Sequence, residues 1–542
     1  MESIVECDVV VIGAGISGLS AAWMLHKRDA SLKVVVLEAK GRVGGRTETI
    51  KLKTGNGSMD FWDIGGQWVG STQTHIIDVI KELGLATYKQ FTDGTKLMQL
   101  GSYRVRSYKS EIPSFSLLGV LDLARFLHKV EQMRKTVDVF EPFECPEAKE
   151  WDKMTLDTFI QKTLWTEECK DSLIATSRTM LGCEPSQISL LFFLFYASAA
   201  GGLMPLIGNQ EQSAQGMKVE GGTQQISQKM AKLVGEGAVL LNQPVVKVTQ
   251  LADHVDVTTA TNKLFRSKRV IFAVPPPQLG HIHFEPGLPY PKLNMIKRMP
   301  MGHLNKVIIT YKHAFWKTAG LSGEAVMNGG PSPIAECSCG PLGIIMDATS
   351  VSGNPALVSF IASDQAVEWA LQSADKRKSA VLKSLADLFG EDVFDCADYI
   401  EKEWSHEPYT MGAPIAIASP GTMAFLSEGL RKPFDKLHFA GTESATQWCG
   451  YMSGAVQAGY RAAMEVLYHV SPKAVTREDM VGTAYDQHKH KTRVIPRTKQ
   501  PICPKFVKYT AIVAVVIGSL YITKRFKAGE LLETLVKRFQ NQ

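Results

Sequence analysis

Short apolar runs without polar interruption mark the start of this chain, and their spacing predicts what each becomes. Val9-Val10-Val11-Ile12 and Val34-Val35-Val36-Leu37 are too short for helices. Neither shows the alternation of a strand with one wet face, so both predict strands covered on two sides. Between them, apolar and small residues carry a helical pattern from Ile16 through His26. Strand, helix, strand in this compass is the βαβ unit of a parallel sheet. Far along the chain, Leu437-His438-Phe439-Ala440 predicts another short buried strand. Gly441-Thr442-Glu443 breaks it, and a helix rich in small residues follows from about Met452 to Leu467, with Gly454, Ala455, Ala458 and Gly459. The run Val307-Ile308-Ile309 predicts a strand with Lys306 at its edge. Tyr509 to Thr523 is uncharged and apolar, flanked by Lys505 and Lys508 on one side and Lys524, Arg525 and Lys527 on the other. It is shorter than the ~20 residues that span a bilayer comfortably, but lysine stems can snorkel and lengthen it. It follows a polar, Pro- and Lys-rich stretch, and the expectation is a C-terminal membrane anchor rather than a core helix. Beyond it, Leu531, Leu532, Leu535, Val536 and Phe539 fall at helical spacing, as in an interfacial helix or a frayed end.

The turn between the first strand and helix reads Gly13-Ala14-Gly15-Ile16-Ser17-Gly18, and the second strand ends on Glu38. In this context Gly13, Gly15 and Gly18 permit the tight turn, the approach of backbone to a pyrophosphate, and close helix–strand packing. The helix N-terminus then faces the phosphates, and Glu38 can accept hydrogen bonds from ribose hydroxyls. An acid there disfavours a 2′-phosphate and so argues against NADP. Arg42-Val43-Gly44-Gly45-Arg46 and Asp63-Ile64-Gly65-Gly66-Gln67-Trp68 come next. Two arginines and two glycine pairs suit a longer cofactor, with a second set of cations at its pyrophosphate and close backbone against a tricyclic ring. The implied cofactor is a flavin dinucleotide. At the other end, Glu443 after a strand and before a helix can bind ribitol hydroxyls. That helix's N-terminus can offset charge developing on a reduced ring.

Composition changes this picture only at the edges. The chain has 542 residues, 45% hydrophobic and 21% charged, which predicts more than one domain. The formal charge of +6 is misleading in its distribution. Twelve Lys and Arg against two Glu from Lys489 onward give +10, which leaves −4 for the rest. A mildly acidic body argues against nucleic acid and suits a cationic small molecule, whereas the basic end suits a membrane. Nine scattered cysteines without CxxC spacing, and an N-terminus without a signal core, predict a reducing, cytosol-exposed body. No metal-ligand spacing is present, and His488 and His490 sit in a basic stretch that predicts a solvated face.

The stretches VVVIGAGISGLSAAWML, VVVLEAKGRVGGRTET, DIGGQWVGSTQ, KVEGGTQQIS, PVVKV, FAVPP and FAGTESATQWCGYMSGAVQAGYRAA, with the apolar tail, resemble the flavin-containing amine oxidases. The likeness is nearest to the monoamine oxidases with a C-terminal anchor. The resemblance implies an α/β fold with a discontinuous FAD-binding Rossmann-like domain of the glutathione-reductase type. Its segments would be 1–88, 219–295 and 407–470, with Val245 bearing on the adenine. An α+β substrate domain would take 89–218 and 296–406, followed by a polar linker 471–506, a transmembrane anchor 507–524 and a basic tail 525–542. It implies oxidation of an amine by FAD and O2, giving aldehyde, ammonia or a smaller amine, and hydrogen peroxide. The short, moderately apolar anchor with its basic flanks predicts the mitochondrial outer membrane, with the body facing the cytosol, or alternatively the endoplasmic reticulum; a basic anchored tail is compatible with a homodimer on the membrane. By the same resemblance Lys306 is the family's lysine linked through water to the flavin, Tyr451 a wall of the aromatic cage, and Trp404, Phe360 and Gln215 pocket residues. Thr179, Met180, Leu206 and Ile207 fall near the entrance.

Three departures qualify the likeness. The family's cysteine after Tyr-x-Gly-Gly is Ala413 here, which predicts non-covalent FAD, with nearby Cys449 the suspect should the bond prove covalent. The second cage tyrosine is replaced by Pro414. Glu336 matches a pocket position that is usually aromatic or aliphatic, and a buried acid there would require a cationic partner such as a second substrate ammonium. The competing readings are a diamine or polyamine oxidase, an L-amino-acid oxidase, and a catalytically silent membrane flavoprotein.

Overall fold

The computed structural model describes residues 4–100, 104–109 and 113–486. The expected anchor and basic tail, together with His488 and His490, lie outside the described residues. Among the described residues, no helix is long and apolar enough to cross a membrane.

The two valine runs form adjacent parallel strands, Val9–Ile12 and Val34–Leu37, with every residue buried. They are joined by a helix at Ile16–Arg28. Three further strands complete a five-stranded parallel sheet in the order Val239–Leu240, Val34–Leu37, Val9–Ile12, Arg269–Phe272, Leu437–Phe439. One sheet thus draws on three stretches far apart in the chain. The C-terminal helix, Met452–Val470, packs against Ile16–Arg28 so closely that a Cβ on Gly459 would sit 2.3 Å from the Ser17 carbonyl oxygen.

A second five-stranded sheet stands beside the first, with Val255–Thr259 and Val245–Gln250 antiparallel within it. The alternating burial of Val255–Thr259 marks one face against the core. A seven-stranded mixed sheet has the order Cys396–Glu403, Leu304–Tyr311, Ala356–Ala362, Ile344–Asp347, Leu321–Met327, Thr95–Gln99, Arg106–Tyr108. It is antiparallel throughout except where Leu321–Met327 runs parallel to Thr95–Gln99. Helices Leu117–Arg134, Glu167–Leu181 and the mostly apolar Leu190–Ala199 belong to the same part of the molecule, and their side chains form a continuous core.

Two expectations are corrected here. Lys306 is not at a strand edge: Leu304–Tyr311 is paired on both sides, to Ala356–Ala362 and to Cys396–Glu403, and is buried along its full length. The stretch expected as a polar linker from residue 471 is docked as far as it is described. Arg28 holds Asp479 at 2.6 Å, the Ala484 N–H donates to Glu465, and Met480 is buried.

Candidate functional site

The glycine turn has the form its sequence predicts. Gly13 takes φ +103°, and its N–H donates to the Leu37 carbonyl at 2.8 Å. A Cβ on Gly18 would lie 1.9 Å from the Gly13 oxygen, so the third glycine lets the helix begin directly against the turn. Helix Ile16–Arg28 starts with no side-chain cap and no acid in its first turn. Its first N–H groups, which have no intrahelical partners, are thus not taken up by a capping side chain, and Gly13, Gly15, Ile16 and Ser17 line a cavity of about 460 Å³. That is the donor set a pyrophosphate requires. Glu38 lines the same cavity; its carboxylate accepts from the Ala14 N–H at 2.7 Å and the Lys40 N–H at 2.9 Å. Val245 and Gln243 continue the wall.

The first Gly-Gly pair folds onto this turn, with the Gly44 N–H donating to the Ala14 carbonyl at 2.9 Å. The two arginines beside it separate. Arg46 lines the cavity, whereas Arg42 turns away from it, against the expectation that both serve the cofactor. The Arg42 guanidinium is consumed by the Gly45 carbonyl, Glu48 and Glu407, which lies at 2.9 Å. Burial works to raise the Glu407 carboxyl, but Lys40 and Lys402 hold it at about 2. Glu443 is likewise corrected: it does not face the cavity. Its two oxygens take the Arg46 fork at 2.6 and 3.1 Å, and Oε1 also accepts from the Ala416 N–H. Arg46 donates further to the Pro414 carbonyl at 2.9 Å. Glu443 therefore acts on the wall through Arg46, which it orients. The second Gly-Gly pair brings Gly65, Gly66 and Gln67 to the same surface. Helix Met452–Val470 also opens on the cavity without a side-chain cap, with Tyr451 at its N-cap position.

Lys306 stands on the floor of the cavity's other half, 2% exposed. Its ammonium donates to Gln67 Oε1 at 2.7 Å and to the Gly65 carbonyl at 3.0 Å, between the rings of Trp68 and Phe360. Burial holds Lys306 well below the usual lysine range, opposed by the charge of Asp63; burial in turn raises the Asp63 carboxyl. Trp404 is fixed by a bond from its indole N–H to the Ile64 carbonyl at 3.1 Å. Tyr451 is flanked by Tyr196, ring centroids 6.0 Å apart, and burial pushes its phenol up to about 12. Ala413 and Pro414 occupy the wall where the two departures were expected. Gln215, on the cavity wall, donates to the Leu206 carbonyl at 3.2 Å, while its Oε1 is buried with no partner among the described residues. Thr179, Met180, Leu206, Ile207 and Phe360 line the same cavity.

Glu336 is not a pocket residue. It lies on the surface, half exposed, paired to Lys376 at 3.1 Å, so the pocket acid inferred from its position does not exist there. Cys449 is buried off the cavity wall, its Sγ directed at the Glu443 carbonyl. Sequence reasoning missed Tyr196, hidden in an apolar run, and Glu324, the one acid in a strand of small and apolar residues; both reach the cavity.

The residues present fit FAD. An uncapped helix start, the cavity-lining acid Glu38 and the fixed Arg46 would hold its dinucleotide half, and glycine-rich backbone with aromatic walls would hold its ring.

Comparison with known proteins agrees. The family model described as flavin containing amine oxidoreductase matches residues 16–467. The flavin-containing amine oxidase A of Sus scrofa is 37% identical over 467 residues, covering 85% of this chain and 85% of that protein. The flavin-containing amine oxidase B of Homo sapiens is 35% identical over 466 residues, covering 85% and 86%. Among solved structures, a putrescine oxidase bound to putrescine gives a TM-score of 0.79 at 28% identity, covering 86% of this chain and 100% of that one. Cyclohexylamine oxidase from Brevibacterium oxydans gives 0.78 at 30% identity, covering 85% and 98%.

Proposed function

From the premise that this chain belongs to the flavin-containing amine oxidoreductase family, we infer that it oxidises amines with dioxygen, using FAD held without a covalent bond. The observation that carries the reading is one continuous cavity. It runs from the glycine turn and Arg46 to Lys306, Trp404 and Tyr451. When bound there, FAD supplies the two-electron acceptor and the reactivity toward O2 that yields hydrogen peroxide.

The chain's own residues do the rest. Removal of hydride from an amine α-carbon requires a neutral amine, and a mostly apolar cavity favours that form by desolvating the ammonium. Tyr451 presents a π-face that holds and orients the amine nitrogen. Gln215 Oε1, which has no partner among the described residues, is an acceptor for an amine N–H. Lys306 is positioned by two acceptors, and burial keeps its neutral form within reach, so its nitrogen can hold or release a proton. Ala413 has no sulfur with which to make a thioether, and Cys449 is off the wall. The purified protein should be yellow and produce peroxide with members of an amine panel. Acid precipitation should release all the flavin into the supernatant. Colour that remains with the pellet would refute non-covalent binding, and a colourless protein that takes up no FAD would refute the whole reading.

We further propose that residues 507–524 anchor this body to the mitochondrial outer membrane, cytosolic side, with the endoplasmic reticulum the alternative. The support is the uncharged run between two lysine-bearing flanks. The full chain should stay with membranes after an alkaline wash, and a chain ending at Asp486 should be released. Release of both would remove the proposal.

A further inference from the structure

One face of the seven-stranded sheet paves the cavity floor from strand to strand. Lys306 is paired with Phe360, and Ile344 with Val326, and all four line the cavity. Glu324, two residues before Val326, points the same way and also lines it. It is three strands from Lys306 and two residues out of line. At ~4.8 Å between strands and ~3.4 Å per residue, the two backbones are on the order of 15 Å apart.

Glu324 is well supplied with donors in an otherwise apolar wall. Lys96, buried behind the wall, lies 3.0 Å from its Oε2, and Asn209 Nδ2 donates to the same oxygen at 2.5 Å. The Tyr108 hydroxyl, which burial and Glu324 keep protonated, donates to it as well. A carboxylate accepts about four hydrogen bonds, so three donors leave it capacity toward the cavity. Lys96 does not reach the cavity surface. A ligand there meets the acid, an amide and a phenol, set among Val326, Met346 and Ile207.

Resting on the amine-oxidase reading above, we propose that Glu324 recognises a second ammonium group at the far end of the substrate. The preferred substrates are then long diamines or polyamines, with two nitrogens on the order of 10–15 Å apart. Without a ligand, Lys96 at 3.0 Å is the acid's ion-pair partner. The arriving ammonium shares the carboxylate with it through a charge-assisted hydrogen bond.

The test compares kcat/KM for diaminobutane, diaminooctane and diaminodecane with octylamine, decylamine and the amino alcohols of equal length. The wild-type chain should prefer the two longer diamines over their length-matched monoamines and amino alcohols by roughly ten- to a hundredfold. Glu324→Gln should bring that ratio close to one, mainly through KM. Equal turnover of diamine and monoamine of one length by the wild type overturns the proposal while leaving the oxidase reading intact. Equal turnover of diamine and amino alcohol overturns the requirement for a cation. Failure to oxidise any amine overturns the oxidase reading and this inference with it.

Discussion

Replacing Lys306 by Met is expected to lower amine-dependent peroxide production by at least about a hundredfold, within the range for losing a positioned proton-transfer group. Methionine keeps the length and the apolar stem but removes the nitrogen that Gln67 and Gly65 orient. FAD content should remain near that of the wild type, because Lys306 is in the half of the cavity away from the glycine turn. The same substitution has a pH signature. Burial lowers the Lys306 pKa in the native state, so above it and up to the unfolded value near ~10.4 the unfolded chain binds more protons at this residue. Its contribution to stability therefore rises with pH across that window and is least below it. Asp63 works in the opposite sense: its raised pKa favours the native state at low pH, and that contribution is lost as pH rises through the native value. Denaturant titrations from neutral pH to pH ~9 should show a rise in the wild type that is smaller in Lys306→Met, the remainder coming from buried Lys218 and Lys292, whose pKa values burial also lowers. A variant with near-normal turnover would assign proton handling elsewhere.

The second large effect is structural. Gly459→Val should destabilise the protein by at least about 3 kcal/mol, because the added Cβ meets backbone rather than a movable side chain. Ser17 O is 2.3 Å away and Ala21 N 3.1 Å away. Helix Ile16–Arg28 cannot shift to relieve the clash without moving Ser17 off the cavity wall, where its Oγ also accepts from the Gly441 N–H at 2.9 Å. Loss of stability should therefore come with loss of bound FAD. The checks are thermal unfolding and the flavin-to-protein absorbance ratio. A stable variant with full flavin content would show that the two helices are less tightly coupled than their spacing requires.

The nucleotide end was legible because its signals are local. Val9–Ile12, the glycine turn and Val34–Leu37 are neighbours in sequence as well as in space, so spacing alone implies their geometry. Residues whose partners are distant in the chain were harder to read. Glu443 has the look of a hydroxyl-binding acid, yet its actual partner, Arg46, is 397 residues away. Lys306 was expected at a strand edge because the strands that enclose it begin about fifty and ninety residues later. Glu336 falls at a position the family gives to its pocket, but only the fold shows that it turns outward to Lys376. Glu324 gave no signal, since one acid in a strand reads as solvated until the sheet's covered face is known.

The clasp in which Arg46 grips both Glu443 and the Pro414 carbonyl joins segments from the beginning and the far end of the chain. The ribosome must therefore release almost the whole polypeptide before this part of the FAD pocket exists. Flavin loading belongs to the last stage of maturation, and until then the nascent N-terminal half, with its βαβ unit already written, has nothing to close on.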